Sequence, residues 1–114
     1  MNLNGLKNKL VLGTVQLGLP YGINNQDGRP DQKEAFEILN YASSANISLL
    51  DSAEAYGDSL SVISAYMQSY PHSPFQVISK FIGKENNLEH NLIRTLEALS
   101  VKTLYAYMFH RYSD

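Results

Sequence analysis

Three titratable residues each stand at the end of a short run of β-forming residues. Asp51, Lys80 and His110 close these runs, and they are 29 and 30 residues apart. That interval is the length of one strand and one helix, so parallel neighbouring strands would bring the three side chains to the same edge of a sheet. Tyr56 follows Asp51 by five residues, on the short loop toward the next helix. The spacing therefore predicts four proton-handling groups in one small area.

Such a set is suited to donating a proton. An ordinary phenol has a pKa of about 10 and is a poor acid at neutral pH, but a neighbouring ammonium group favours the phenolate. We expect Lys80 to bring that charge to Tyr56, and Asp51 to oppose the desolvation that would discharge Lys80. His110 would hydrogen-bond the oxygen of a substrate carbonyl and orient it, or assist the proton transfer. The four groups predict a proton donor for a developing alkoxide, as carbonyl reduction needs when another group delivers a hydride.

These groups require a scaffold of parallel strands, and the hydrophobic pattern predicts one. Four short apolar runs alternate with three amphipathic stretches, which is typical of βα units around a parallel sheet. The predicted strands are 9–14, 47–51, 75–81 and 103–110, and the predicted helices are 31–45, 58–70 and 87–99. We expect Asp31 and Glu34 to form a capping box, Pro71 to end the second helix and Asn87 to cap the third.

Each predicted helix has an apolar stripe that should face the core. The stripes comprise Ala35, Ile38, Leu39, Ala42 and Ala45, then Leu60, Ile63, Met67 and Tyr70, and last Leu88, Leu92, Ile93, Leu96 and Leu99. Tyr41, Tyr66 and the methionines are also predicted to be core residues.

The segment from Val15 to Pro30 is rich in glycine, proline and asparagine, and it predicts a long functional loop after the first strand. Thr14 and Gln16, where that strand meets the loop, are candidate contacts to a cofactor or substrate. The Asn-rich start predicts a small hairpin. Glu54 is predicted to cap the second helix, with contact to substrate as the alternative.

Composition excludes several classes of function. The chain has 114 residues, with nine Lys and Arg against eleven Asp and Glu, and this weak negative charge argues against nucleic-acid and anionic-membrane partners. The absence of cysteine excludes disulfides, thiolate zinc sites and cysteine nucleophiles. His72 and His90 have no partners at ligand spacing, so we expect both to be exposed and predict no metal site. No apolar run approaches the roughly 20 residues of a membrane span, and a cytoplasmic location is the expectation.

The sequence also resembles a known family. Residues 50–57 read Leu-Asp-Ser-Ala-Glu-Ala-Tyr-Gly and closely resemble the aldo-keto reductase signature around its catalytic aspartate and tyrosine. Residues 10–14 are similar to that family's opening strand, 77–80 to its lysine strand and 108–110 to its histidine strand. Ser52 stands where many members have threonine. By this resemblance Tyr56 would be the general acid, Lys80 its ammonium partner, Asp51 the support for Lys80 and His110 the substrate-orienting group.

The resemblance implies a (β/α)8 barrel that reduces an aldehyde or ketone with NADPH or NADH. Because such a barrel needs roughly 250 residues, we expect residues 1–114 to form a single incomplete domain, the N-terminal half of an aldo-keto reductase barrel with about four βα units. In this family the later strands carry most contacts to the nicotinamide and the adenosine phosphates. We therefore expect the isolated chain to bind NADPH poorly and to show little reductase activity.

Two other interpretations remain open. The chain is alternatively a noncatalytic half-barrel, either a fragment or a structural or regulatory binding module, or an unrelated open α/β domain. Open strand edges on the first and fourth strands would favour self-association.

Overall fold

Four parallel strands alternate with four helices in the computed structural model, which describes residues 10–18, 31–82 and 88–110. The elements in chain order are β1 (Val11–Gly13), α1 (Val15–Gly18), α2 (Gln32–Ser44), β2 (Leu49–Asp51), α3 (Ser59–Ser69), β3 (Gln76–Phe81), α4 (Leu88–Leu99) and β4 (Ala106–Phe109). All four strands form one sheet in the order β1-β2-β3-β4, and every neighbouring pair is parallel. The predicted repetition of βα units is confirmed.

The strand register determines which side chains face the helices. Leu50 on β2 is paired with Val77 on β3, and both are buried against the helical layer. Since side chains alternate along a strand, Asp51 and Lys80 project from the opposite face of the sheet. The hydrophobic core therefore lies between the sheet and the helices, and the titratable groups lie on the other face.

Tyr66 on α3 is the largest fully buried side chain. Its ring contacts Phe36 edge-on at 5.3 Å between centroids and lies 5.8 Å from the ring of Phe75. The hydroxyl is not left unpaired, because it donates to Asn40 Oδ1 at 2.7 Å. Burial raises the pKa of Tyr66, with a smaller contribution from Tyr70, so the phenol remains a neutral donor. This tyrosine joins α2, α3 and β3 into one core, as its predicted core position requires.

The helix boundaries follow from local signals in the sequence. Asp31 caps α2, and its Oδ1 accepts a hydrogen bond from Glu34 N at 2.8 Å, as predicted. The chain leaves α2 through Asn46 and α4 through Ser100, which have φ of 64° and 58°. Asparagine tolerates this left-handed conformation better than most residues do. The helix α3, which corresponds to the second predicted helix, ends at Ser69, just before Tyr70 and Pro71, as predicted.

Several residues predicted to be core are exposed instead. Tyr41 is 78% exposed, and the side chains of Ile38, Tyr70, Leu88 and Ile93 are between 42% and 48% exposed. On α2 the buried stripe is Ala35, Leu39 and Ala42, and at 100° per residue position 41 lies on the opposite side of the helix. On α4 the inward positions are Asn91, Thr95 and Leu99. At 100° per residue these positions lie on the other side of the helix from Ile93. Tyr70 comes after the last residue of α3.

The segment after β1 also differs from its prediction. Its first residues form the short helix α1 rather than a loop, with Leu17 buried in the core. The rest of the predicted loop, the predicted hairpin at the start and the predicted cap Asn87 lie outside the described residues. No helix within 10–18, 31–82 and 88–110 is long and apolar enough to cross a membrane.

Candidate active site

The end of β2 is held in place by both neighbouring strands. The backbone N–H and the Oγ1 hydroxyl of Thr14, just after β1, both donate to the carbonyl of Asp51, each at 3.0 Å. On the other side, Ser52 N donates to the carbonyl of Ile78 at 2.8 Å. Hydrogen bonds with the backbone of both neighbouring strands and with the Thr14 hydroxyl therefore fix the backbone that carries the Asp51 carboxylate.

Lys80 lies at the centre of the candidate site. Its Nζ donates to Asp51 Oδ1 in an ion pair, to the carbonyl of Ser52 at 2.9 Å and to the hydroxyl of Tyr56 at 3.4 Å. The lysine side chain is only 13% exposed, whereas that of Asp51 is 40% exposed. A largely buried ammonium group is stable only when its donors are paired, and all three partners lie within residues 51–56, at the end of β2 and just after it.

Tyr56 lies on a compact turn between β2 and α3. Its backbone N–H donates to the Ala53 carbonyl, and its carbonyl accepts from Ser59 N, both at 3.1 Å. Gly57 has φ of 57°, a conformation that glycine adopts without steric cost. The hydroxyls of Ser52 and Ser59 are 2.6 Å apart and buried, and they bridge the two ends of the turn. The turn brings the Tyr56 ring to 5.0 Å from Lys80 Nζ.

His110 completes the group directly after β4. Its backbone N–H donates to the Phe81 carbonyl at 2.9 Å, and its ring lies edge-on to that of Tyr56 with 5.9 Å between centroids. The Nδ1 atom of its imidazole is buried and has no hydrogen-bond partner among the described residues. The structure thus brings together all four residues that the spacing predicts for this edge, namely Asp51, Tyr56, Lys80 and His110.

Of the other predicted site residues, Thr14 contacts this group and Gln16 lies on the short helix after it. Thr14 is fully buried and its hydroxyl is bonded to Asp51, whereas Gln16 is exposed on α1. Their contact with a cofactor stays a prediction. His72 and His90 are both exposed, and the described ranges contain no group of three or more His, Asp and Glu side chains that could hold a metal ion.

Glu54 has a different role from the predicted helix cap. The N-cap of α3 is Asp58, and the Oε1 atom of Glu54 instead accepts hydrogen bonds from Thr95 Oγ1 on α4, at 2.7 Å, and from Tyr107 OH on β4. Burial, followed by the hydrogen bond to Glu54 and its charge, raises the pKa of Tyr107 well above its ordinary value. The phenol therefore remains protonated and donates to the carboxylate.

Sequence reasoning missed Thr95, Tyr107 and the carbonyl of Ser52 as parts of this area. A backbone acceptor carries no sequence signal, so the Ser52 contact was not accessible from residue types. Tyr107 did carry a sequence signal. It lies three residues before His110, and side chains an odd number of residues apart on a strand point to opposite faces, so its position predicts the helix-facing side of the sheet.

Comparisons with known proteins agree with this geometry. Residues 9–113 match the model of the Aldo/keto reductase family. An uncharacterized oxidoreductase of Schizosaccharomyces pombe is 34% identical in an alignment over 104 residues, and the alignment covers 85% of this chain and 31% of that protein. The chain thus spans about a third of the length of this curated relative.

Solved structures are similar in fold. A proposed aldo-keto reductase from Pseudomonas aeruginosa superposes with a TM-score of 0.74 at 24% identity, over 90% of this chain and 42% of that one. A second such structure from the same organism gives a TM-score of 0.72 at 23% identity, over 90% and 41%. The four parallel strands and their helices correspond to part of a (β/α)8 barrel, and the predicted half-barrel fold is confirmed.

Proposed function

The chain belongs to the aldo/keto reductase family, and we propose that it supplies the proton-transfer groups for reduction of an aldehyde or ketone to an alcohol by NADPH or NADH. The observation that carries this proposal is the placement of Lys80 Nζ between the Asp51 carboxylate and the Tyr56 hydroxyl, with the His110 ring beside the phenol. An S. pombe relative named as an oxidoreductase supports the same class of reaction.

The donor set fits a nicotinamide cofactor, because none of the four side chains can deliver a hydride. A reduced nicotinamide, when bound, supplies that hydride to the carbonyl carbon. The carbonyl oxygen then becomes an alkoxide and needs a proton, which the Tyr56 hydroxyl donates. The resulting phenolate is stabilised by the ammonium group of Lys80, whose positive charge is in turn stabilised by Asp51. His110 lies against the phenol ring, where it orients the carbonyl oxygen toward the proton.

Thr14 and Gln16 are the residues of this chain that we propose near the cofactor. Gln16 is exposed on α1, and the hydroxyl of Thr14 is bonded to the Asp51 carbonyl. The contribution we propose for Thr14 is therefore indirect, through the position of Asp51.

A second candidate function is that of a noncatalytic half-barrel module. The chain spans 31% of the curated relative and about two fifths of the solved structures, so the activity of these residues alone is a separate question from membership of the family. The two candidates differ in cofactor affinity. Because we expect the chain to bind NADPH poorly, a fluorescence titration should show weak but saturable binding if the chain takes part in the reduction directly, and no binding if it is a noncatalytic module.

The test of the acid assignment is Tyr56→Phe, with Tyr41→Phe as the matched control because Tyr41 is 78% exposed on α2. Reduction of small aldehydes and ketones is followed by oxidation of NADPH or NADH. We expect Tyr56→Phe to lower the rate by about 10²- to 10⁴-fold with an unchanged circular dichroism spectrum, and Tyr41→Phe to leave it unchanged. A fully active Tyr56→Phe variant would refute the assignment. A wild-type chain that neither binds cofactor nor reduces any substrate would favour the noncatalytic module.

A further inference from the structure

Glu54 connects the turn that carries Tyr56 to two other elements. Its Oε1 atom accepts from Thr95 Oγ1 on α4 and from Tyr107 OH on β4, and these donors are 41 and 53 residues away in sequence. Glu54 lies two residues before Tyr56, and its backbone N–H donates to the Lys80 carbonyl at 3.3 Å. One residue thus contacts β3, β4 and α4 from the turn.

The donors on β4 and α4 are well placed to fix this residue. Tyr107 is three residues before His110 on the same strand, and Thr95 is almost fully buried on α4. Glu54 therefore joins the turn that carries the phenol to the strand that carries the imidazole. The spacing between the two rings, 5.9 Å between centroids, depends on both ends of this connection.

The connection requires an acceptor oxygen at the end of the side chain, and a carboxylate is the strongest such acceptor. An ionised carboxylate offers only acceptor sites, and hydroxyls that donate to it form stronger hydrogen bonds than neutral pairs do. Thr95 and Tyr107 are hydroxyl donors that would be left unpaired in a partly buried location without it, at the cost that such groups carry. A shorter or apolar side chain at position 54 would release the turn from β4 and α4.

We propose that Glu54 is a positioning residue that fixes the Tyr56 hydroxyl relative to Lys80 and His110 by bonding the turn to Tyr107 and Thr95. The proposal rests on the proposed function of Tyr56 as the acid. Glu54 itself touches none of the reacting atoms, and its effect on the reaction passes entirely through the position of Tyr56. A displacement of about 1 Å at a reacting group is enough to lower a rate by about 10²-fold.

The test compares Glu54→Ala and Glu54→Gln with Glu37→Ala, an exposed position on α2. The first readout needs no turnover: it is the nuclear Overhauser effect between the rings of Tyr56 and His110, assigned through the change in chemical shift of the ring protons at position 56 in Tyr56→Phe. We expect this signal to vanish in Glu54→Ala and to persist in Glu54→Gln, which keeps an acceptor oxygen, and in Glu37→Ala. Persistence of the signal in a folded Glu54→Ala would overturn the proposal.

The second readout is steady-state kinetics. We expect Glu54→Ala to lower kcat by about 10²-fold with KM unchanged, and Glu54→Gln to recover most of that loss. If Glu54→Ala is fully active while Tyr56→Phe is inactive, the positioning role of Glu54 is overturned and the acid role of Tyr56 stands. A wild-type chain without turnover would count against the proposed function, and the ring-to-ring signal would still decide the role of Glu54.

Variants of the donors cover the case in which Glu54→Ala does not fold. Tyr107→Phe and Thr95→Val each remove one hydroxyl and leave the carboxylate in place. We expect each to weaken the ring-to-ring signal and to lower kcat less than Glu54→Ala does, with far-UV circular dichroism unchanged. Unaltered signals in both variants would overturn the proposal.

Discussion

Asp51 and Lys80 form an ion pair whose two members are buried to different extents, and neutralising them should therefore have unequal effects on stability. The Lys80 side chain is 13% exposed and that of Asp51 is 40% exposed. Asp51→Asn leaves a buried ammonium group without its counter-charge. Lys80→Met leaves a carboxylate that water already reaches. We expect Asp51→Asn to be the more destabilising change.

The magnitude follows from the burial of the pair. Removing one partner of a fully buried ion pair costs about 3–5 kcal/mol, whereas an exposed pair contributes up to about 1 kcal/mol. Asp51 lies between these limits, so we expect Asp51→Asn to lower the free energy of unfolding by about 1–3 kcal/mol, or the Tm by roughly 5–15 °C for a chain of this size. Lys80→Met replaces the ammonium with an apolar group of similar length and leaves the Ser52 carbonyl without that donor, a net change within about 1 kcal/mol.

The measurement is a double-mutant cycle by urea or thermal unfolding. The double variant Asp51→Asn/Lys80→Met should resemble Lys80→Met alone, because the buried charge that Asp51→Asn leaves unpaired is no longer present. The two changes should therefore be non-additive by about 1–3 kcal/mol, which is the cost of Asp51→Asn itself. Simple additivity, or a greater cost for Lys80→Met than for Asp51→Asn, would refute the assignment of Lys80 as the buried member of the pair.

Two further predictions concern the packing of the turn and the edges of the sheet. A Cβ atom at Gly18 would lie 1.7 Å from the Tyr56 carbonyl oxygen and 2.6 Å from Ser59 N, so Gly18→Ala should destabilise the chain by about 1–3 kcal/mol and lower kcat. Gly13→Ala, whose Cβ would meet nothing within 4 Å, is the matched control, and equal stability of the two variants would contradict this packing argument. We propose that the chain self-associates through β1 and β4. Within the described part of the chain, the outer edges of these two strands pair with no other strand. Their side chains include Val11, Met108 and Phe109, which are between 44% and 59% exposed. Sedimentation velocity should show assemblies that grow with concentration, and a monomer at every concentration would exclude them.

The sequence predicted the four clustered residues because three of their positions follow from periodicity and the fourth, Tyr56, lies only five residues after Asp51. Asp51, Lys80 and His110 recur at the interval of one βα unit, and in a parallel sheet the ends of the strands necessarily meet at one edge. Nothing about individual side-chain contacts was needed. The cap at Asp31 was predictable for a similar reason, since its partner Glu34 is only three residues away.

The contacts of Glu54 were not predictable in the same way. Its partners lie on α4 and β4, and their side chains meet it only once the register of β3 with β4 and the rotation of α4 are known. The apolar residues of α4 predicted a face with Ile93 inward, whereas Thr95 and Asn91 are the buried positions. A polar residue that is buried because it has a specific partner does not contribute to an apolar pattern, so hydrophobic periodicity gives no sign of it.

The order of the strands also bears on how the cluster forms and opens. Asp51 and Lys80 lie on β2 and β3, which have a hydrogen-bonded strand on each side, whereas Tyr107 lies on β4 and His110 directly follows it, and β4 is an outer strand of the described sheet. Outer strands exchange their amide hydrogens through local opening more readily than inner ones do. All these contacts join residues far apart in sequence, so each of them closes a long loop, and contacts of that kind slow folding. Fraying of β4 would therefore separate the imidazole from the phenol while the ion pair stays intact.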